Sequence, residues 1–118
     1  MTVLWISLGA VLGALIRYGF QQLFATFSSL TMGTIVANLL GCFLIGYVYS
    51  IGDQVPQQIR VGILTGFLGS LTTMSSFALS IANLANGRQW ASLLGVAILT
   101  LVGGIGLCFW GMKLGRLA

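Results

Sequence analysis

Residues 66–77 read GFLGSLTTMSSF. They lie within an uncharged run, 61–87, that is long enough to cross a bilayer. Yet they hold two glycines, a closing phenylalanine and five hydroxyl side chains, Ser70, Thr72, Thr73, Ser75 and Ser76. Glycine weakens a helix, and Ser and Thr compete for its backbone hydrogen bonds. The stretch therefore predicts a membrane-depth helix that unwinds partway. Backbone freed at that depth is tolerated only where protein or a lined cavity satisfies it. Freed carbonyls can coordinate a cation, as in transporters with discontinuous helices.

The rest of the chain supplies the membrane context. Its 118 residues suit one domain, 1–118, and are 58% hydrophobic and 5% charged. Soluble domains carry about 25% charged residues. The net charge of +4 comes from Arg17, Arg60, Arg88, Lys113 and Arg116 against Asp53. Five scattered cations make no nucleic-acid footprint. A hydrocarbon core of about 30 Å needs roughly 20 apolar helical residues, and the uncharged runs predict four spans, about 3–24, 32–51, 58–86 and 90–112. The turns fall at FSSLT, GDQVPQQ and NGR. Pro56 opens the third span, where proline is tolerated. The first apolar run lacks a positive n-region and an A-x-A-like site, so it reads as a retained helix.

Four spans place Arg60, Lys113 and Arg116 at one end and Arg17 and Arg88 at the other. Lys/Arg asymmetry orients membrane chains, and three against two is a weak instruction. Either other features set the orientation, or copies insert both ways and pair antiparallel. Glycines four apart, Gly9 and Gly13, Gly62 and Gly66, Gly111 and Gly115, permit close helix approach within the chain or between chains. Cys42 and Cys108 fall inside spans and read as small apolar fillers.

Several chemistries are excluded. Small four-helix multidrug exporters need a buried acid for proton exchange, and the one acid, Asp53, lies in a loop beside Gly52. The chain has no histidine, no glutamate and no acid/base pair, which argues against an enzyme. Passive permeation or a structural or accessory role remains. Asn38 lies mid-span in GTIVANLLG (33–41) and shares a face with Thr34 and Gly41. Its amide must find a partner or a wet cavity, and its NH₂ can donate to another helix or to an anion. Past the expected break, Thr73 and Phe77 are four apart and Met74 and Phe77 three apart. A ring edge is positive and can meet an anion without trapping it.

The segments GALIRYG (13–19), GTIVANLLG (33–41) and GFLGSLTTMSSF (66–77), in that order on helices one, two and three, resemble the Fluc (CrcB) fluoride channels. The resemblance covers essentially the whole chain. It implies an all-α membrane protein of four transmembrane helices with a broken third helix. It further implies an antiparallel, dual-topology dimer in a bacterial plasma membrane, with two fluoride pores at the interface and a central structural Na⁺. By position, the main-chain carbonyls of Gly69 and Thr72 would hold the Na⁺. Asn38 would be the pore amide, Thr73, Ser75 and Ser76 would offer hydroxyls, and Met74 and Phe77 would occupy the family's two-phenylalanine box. Arg17 matches an arginine near the end of helix one, as an anion attractor at a pore mouth or an anchor for the helix end. Three positions depart from the family: Met74 replaces the first phenylalanine, Ser80 stands at a glutamate position, and Ser70 replaces a second glycine. The partner is accordingly either a second copy or a paralogous chain that supplies an intact pore.

Overall fold

The computed structural model describes residues 1–27 and 30–118. Four helical spans run through it, each long and apolar enough to cross a membrane. Helix α1 covers Thr2–Phe27 and α2 covers Leu30–Ser50. Part of the expected FSSLT turn, residues 28–29, lies outside the described residues. A 3₁₀ turn, Gly52–Gln54, leads to Pro56 and into the third span, 57–86. The fourth, α6, runs Trp90–Leu117, five residues further than the sequence suggests. Lys113 and Arg116 thus sit on its last turns instead of beyond it. The described residues extend 47 × 28 × 21 Å, close to the 40–45 Å of a bilayer with its headgroups.

The third span is not one regular helix. It opens as α3, Gln57–Val61, widens to a π-helix over Gly62–Leu68, and closes as α4, Gly69–Leu71. Thr72 (φ −86°, ψ 151°) and Thr73 (φ −148°, ψ 120°) are extended. Helix resumes as α5, Met74–Asn86. The start of α5 is capped by Thr73 itself, whose Oγ1 accepts from the Ser76 N–H at 3.2 Å. A threonine that leaves the helix and a hydroxyl that caps the next one are the same competition between side chain and backbone. Past α5, Arg88 turns the chain with φ 55°.

Glycine sets the packing. On α1, Gly9 lies against the Gly62 carbonyl and Gly13 against the Phe67 carbonyl. Gly62 and Gly66 in turn receive Trp5 and Ile6 of α1. A Cβ at any of these four sites would collide with backbone or with the root of a side chain, so α1 and the π-helix approach closely only because they are glycine. Gly46, Gly111 and Gly115 do the same between α2 and α6. The three expected glycine pairs are therefore spent on contacts within the chain, and none remains as a signature of a dimer. At the centre Ala37, Leu68 and Leu71 are fully buried, with Phe20, Leu44 and Phe67 around them. Leu4, Leu8, Val11, Leu12 and Leu15 of α1 and Leu101, Val102 and Ile105 of α6 lie on the outside, as an apolar solvent requires.

Candidate anion site at the helix interruption

Two extended residues at membrane depth leave polar backbone that the helix ladder no longer satisfies. The Thr73 N–H donates to Asn38 Oδ1 at 2.7 Å, and Asn38 Nδ2 donates to the Thr73 carbonyl at 3.2 Å. One amide on α2 thus satisfies both backbone groups of one unwound residue. Asparagine suits the task because it carries an acceptor and a donor side by side. Leaving either group orphaned costs about 1–3 kcal/mol. The Leu68 carbonyl accepts from both the Thr72 N–H (3.1 Å) and Thr72 Oγ1 (3.0 Å), which closes the first half of the span. Gly41, one turn past Asn38, leaves room for the Thr72 methyl.

Arg17 is placed differently from the sequence reading. It is not near the end of its helix: α1 continues about ten residues, ~15 Å, beyond it. Its Nε donates to the Ser70 carbonyl at 2.9 Å. That carbonyl belongs to the last turn of the helical run 57–71, where orphan carbonyls and the helix dipole present negative charge. A charge-assisted bond of this kind contributes about 1.5–3 kcal/mol. Arg17 anchors a helix end, and the end is that of the interrupted third span.

The sequence-selected residues fall around two cavities. The first, of about 360 Å³, is lined by Asn38, Gly69, Thr72, Thr73, Met74 and Phe77 together with α6. The second, of about 230 Å³, takes Thr34 and Ser76. The expected single track of hydroxyls is therefore divided. Ser75 lines neither cavity; it is exposed, with Oγ 3.0 Å from Thr73 Oγ1. Phe77 is buried and Met74 is 72% exposed, so the two box positions differ sharply in setting.

Three polar residues were not singled out from the sequence. Thr100, midway along α6, has a buried Oγ1 with no partner and lines the first cavity opposite Asn38. It is the one hydroxyl on α6 beyond its first turn, which is the signal that marks it. Gln21 donates from Nε2 to Thr34 Oγ1 at 3.2 Å in the second cavity. Thr31 lines the same space and donates to Ser80 Oγ (3.3 Å), and Ser80 Oγ donates to the Ser76 carbonyl (2.9 Å). Ser80 thus meets hydroxyl and carbonyl partners without a charge. Neither cavity has a charged residue in its lining.

Residues 4–112 match the profile of the CrcB-like protein, Camphor Resistance (CrcB), family. The chain belongs to the CrcB family. A Salinibacter ruber protein named fluoride-specific ion channel FluC is 43% identical over 108 residues, 87% of this chain and 81% of its own. One from Haemophilus influenzae strain PittGG with the same name is 40% identical over 114 residues, 93% of this chain and 89% of its own. A Staphylococcus haemolyticus protein named fluoride-specific ion channel FluC 2 is 36% identical over 118 residues, 98% of this chain and 97% of its own. These relatives are bacterial ion channels by name, and none is named as an enzyme. The CrcB chain is accordingly a multi-pass membrane protein of a channel family.

Proposed function

We propose that the chain is a subunit of a fluoride-selective channel that lets fluoride leave the cytoplasm down its own gradient. The working unit is an antiparallel pair of chains with two pores at their interface. The observation that carries this reading is the uncharged lining of the cavity beside the interruption, where amide, hydroxyl and aromatic ring meet with no cation in the lining. Fluoride is small and holds its water tightly. A pore must replace that water with several donors, yet bind weakly enough to release the ion. Asn38, Thr73, Ser76, Thr34 and Thr100 offer neutral donors, Ser75 extends them at the surface, and Phe77 offers a ring edge. A buried lysine in their place would hold the ion.

A Na⁺ fits the same interruption. Thr72 is extended, so its carbonyl turns away from the helix ladder, and Gly69 is exposed beside the cavity. Neutral carbonyl oxygens suit a hard monovalent cation. Gly69 and Thr72 from each of two facing chains would hold it, and it would supply fixed positive charge that locks the pair. Met74 stands exposed at the cavity rim, on the side where a second chain would close it.

The test is flux from vesicles. The purified chain is reconstituted from detergent, so that both orientations enter each vesicle. Internal fluoride should empty while chloride stays. Equal loss of both ions would remove selectivity, and no loss of either would favour a non-conducting structural role.

A further inference from the structure

Two thiols far apart in the chain meet where α2 packs on α6. The glycine contacts fix the register. A Cβ at Gly104 would lie 3.1 Å from Cys42 Sγ, and one at Gly46 would strike the Cys108 carbonyl. Position 42 therefore stands beside 104 and position 46 beside 108, with the two helices running in the same direction. Cys108 lies one turn past Gly104 on the same face, and a helical side chain leans back toward its own N-terminus. That lean brings the Cys108 thiol toward the level of Cys42, and the two are close enough to interact electrostatically. Gly104 puts no side chain between them. Both cysteines are free and only half-buried. Cys42 also lines the first cavity, beside Asn38, Thr72 and Thr100, which gives the pair an entrance.

A thiol pair in a membrane selects its ligand by ligand number and by charge. Among the described residues no third histidine, cysteine, aspartate or glutamate stands with these two. Zinc closes its structural sites with four ligands, and calcium and magnesium take oxygen. A soft cation that is satisfied by two thiolates in line fits the pair. Two thiolates on a monovalent ion would leave a buried negative charge, whereas on a divalent ion they leave none. We propose that Cys42 and Cys108 together hold one soft divalent cation of the mercuric type, as a neutral bis-thiolate that ties α2 to α6. The exchange balances without oxidation or reduction. From mercuric chloride, two Hg–Cl bonds break, two Hg–S bonds form, and two thiol protons leave with the two chlorides. The cation then stands in the wall of the cavity beside Asn38 and obstructs fluoride passage. That consequence rests on the channel reading above, whereas the site does not.

The test gives the purified full chain one equivalent of mercuric chloride. X-ray absorption at the mercury edge should count two sulfur neighbours in the natural chain, and one in Cys42→Ala and in Cys108→Ala. The samples are then desalted in mercaptoethanol at about a tenfold excess over micromolar chain, against which a paired thiol competes at an effective concentration of about a millimolar or more. The natural chain should keep its mercury, by elemental analysis, and each variant should lose about nine-tenths or more. Cys108→Ser replaces Cys108→Ala if that variant is poorly made. A single sulfur neighbour in the natural chain, loss of its mercury in the wash, or equal retention by either variant would overturn the site. Zinc retained through the same wash would show further ligands and overturn the two-coordinate assignment. In vesicles, mercury should lower the fluoride flux of the natural chain at least about tenfold, and excess dithiol chelator should restore it. Cys108→Ala, compared with its own untreated flux after the wash, should change by less than about twofold. Retained mercury with unaltered flux would overturn the obstruction and leave the site standing. No flux from any untreated chain would end the channel reading, and the mercury and sulfur counts would still decide the site.

Discussion

Asn38 carries two demands at once. It satisfies the N–H and the carbonyl of Thr73, and it faces the larger cavity. Substitution separates these demands. Asn38→Ala orphans both backbone groups of Thr73, at about 1–3 kcal/mol each. Thermal unfolding in detergent should show the loss, and flux should vanish with it. Asn38→Asp keeps the acceptor for the Thr73 N–H but places a carboxylate against the Thr73 carbonyl and against any passing anion. Flux should fall at least about a hundredfold, with a smaller loss of stability than for alanine. Normal flux in the aspartate variant would place the anion path elsewhere. Met74 tests the box from the other side. Its side chain is exposed at the cavity rim, so Met74→Phe can enter without repacking the core. Fluoride flux in vesicles should equal or exceed that of the natural chain, and a clear drop would show that the thioether is required.

At the level of elements, the third span shows what a sequence can and cannot disclose. The hydroxyl cluster marks where backbone competition is strongest, and Thr72 and Thr73 are the residues found extended. Uncharged runs likewise place the four spans, because the cost of burying charge in lipid is local to each residue. The π-helix over Gly62–Leu68 is not legible in the same way. It depends on how α1 presses its backbone onto Gly62 and Gly66, and that contact joins residues about 60 apart in the chain. The helix end that Arg17 anchors is hidden for the same reason: its partner, the Ser70 carbonyl, is a backbone atom that no side-chain pattern announces. The division of the polar residues between two cavities follows from helix rotation, which spacing alone leaves free. The α1 contact makes its own prediction. In Gly13→Ala the new methyl meets the Phe67 carbonyl, with the Leu71 N–H at 3.1 Å. Both are backbone, so neither rotates away. Overpacking of this kind costs about 1–3 kcal/mol. The variant should melt lower and lose flux, whereas Gly19→Ala, with open space around it, should match the natural chain in both assays.

Across the whole molecule the distribution of charge separates passive conduction from coupled transport. A coupled exporter carries a group that binds and releases protons inside the membrane. Here the linings are amide, hydroxyl, thioether, thiol, aromatic and aliphatic. The chain has no histidine, and its single acid, Asp53, is exposed in the turn after α2. Histidine is the side chain whose ordinary titration falls between pH 5 and 8, and no residue here takes its place along the polar path. Arg17, the one charge at membrane depth among the described residues, is held on the Ser70 carbonyl. Fluoride flux, measured at a fixed fluoride gradient with equal pH on both sides, should therefore vary by less than about twofold from pH 6 to pH 8. Imposing a pH difference without a fluoride difference should drive no net fluoride movement. A steep pH dependence, or uphill fluoride movement coupled to protons, would require a titrating group in the path.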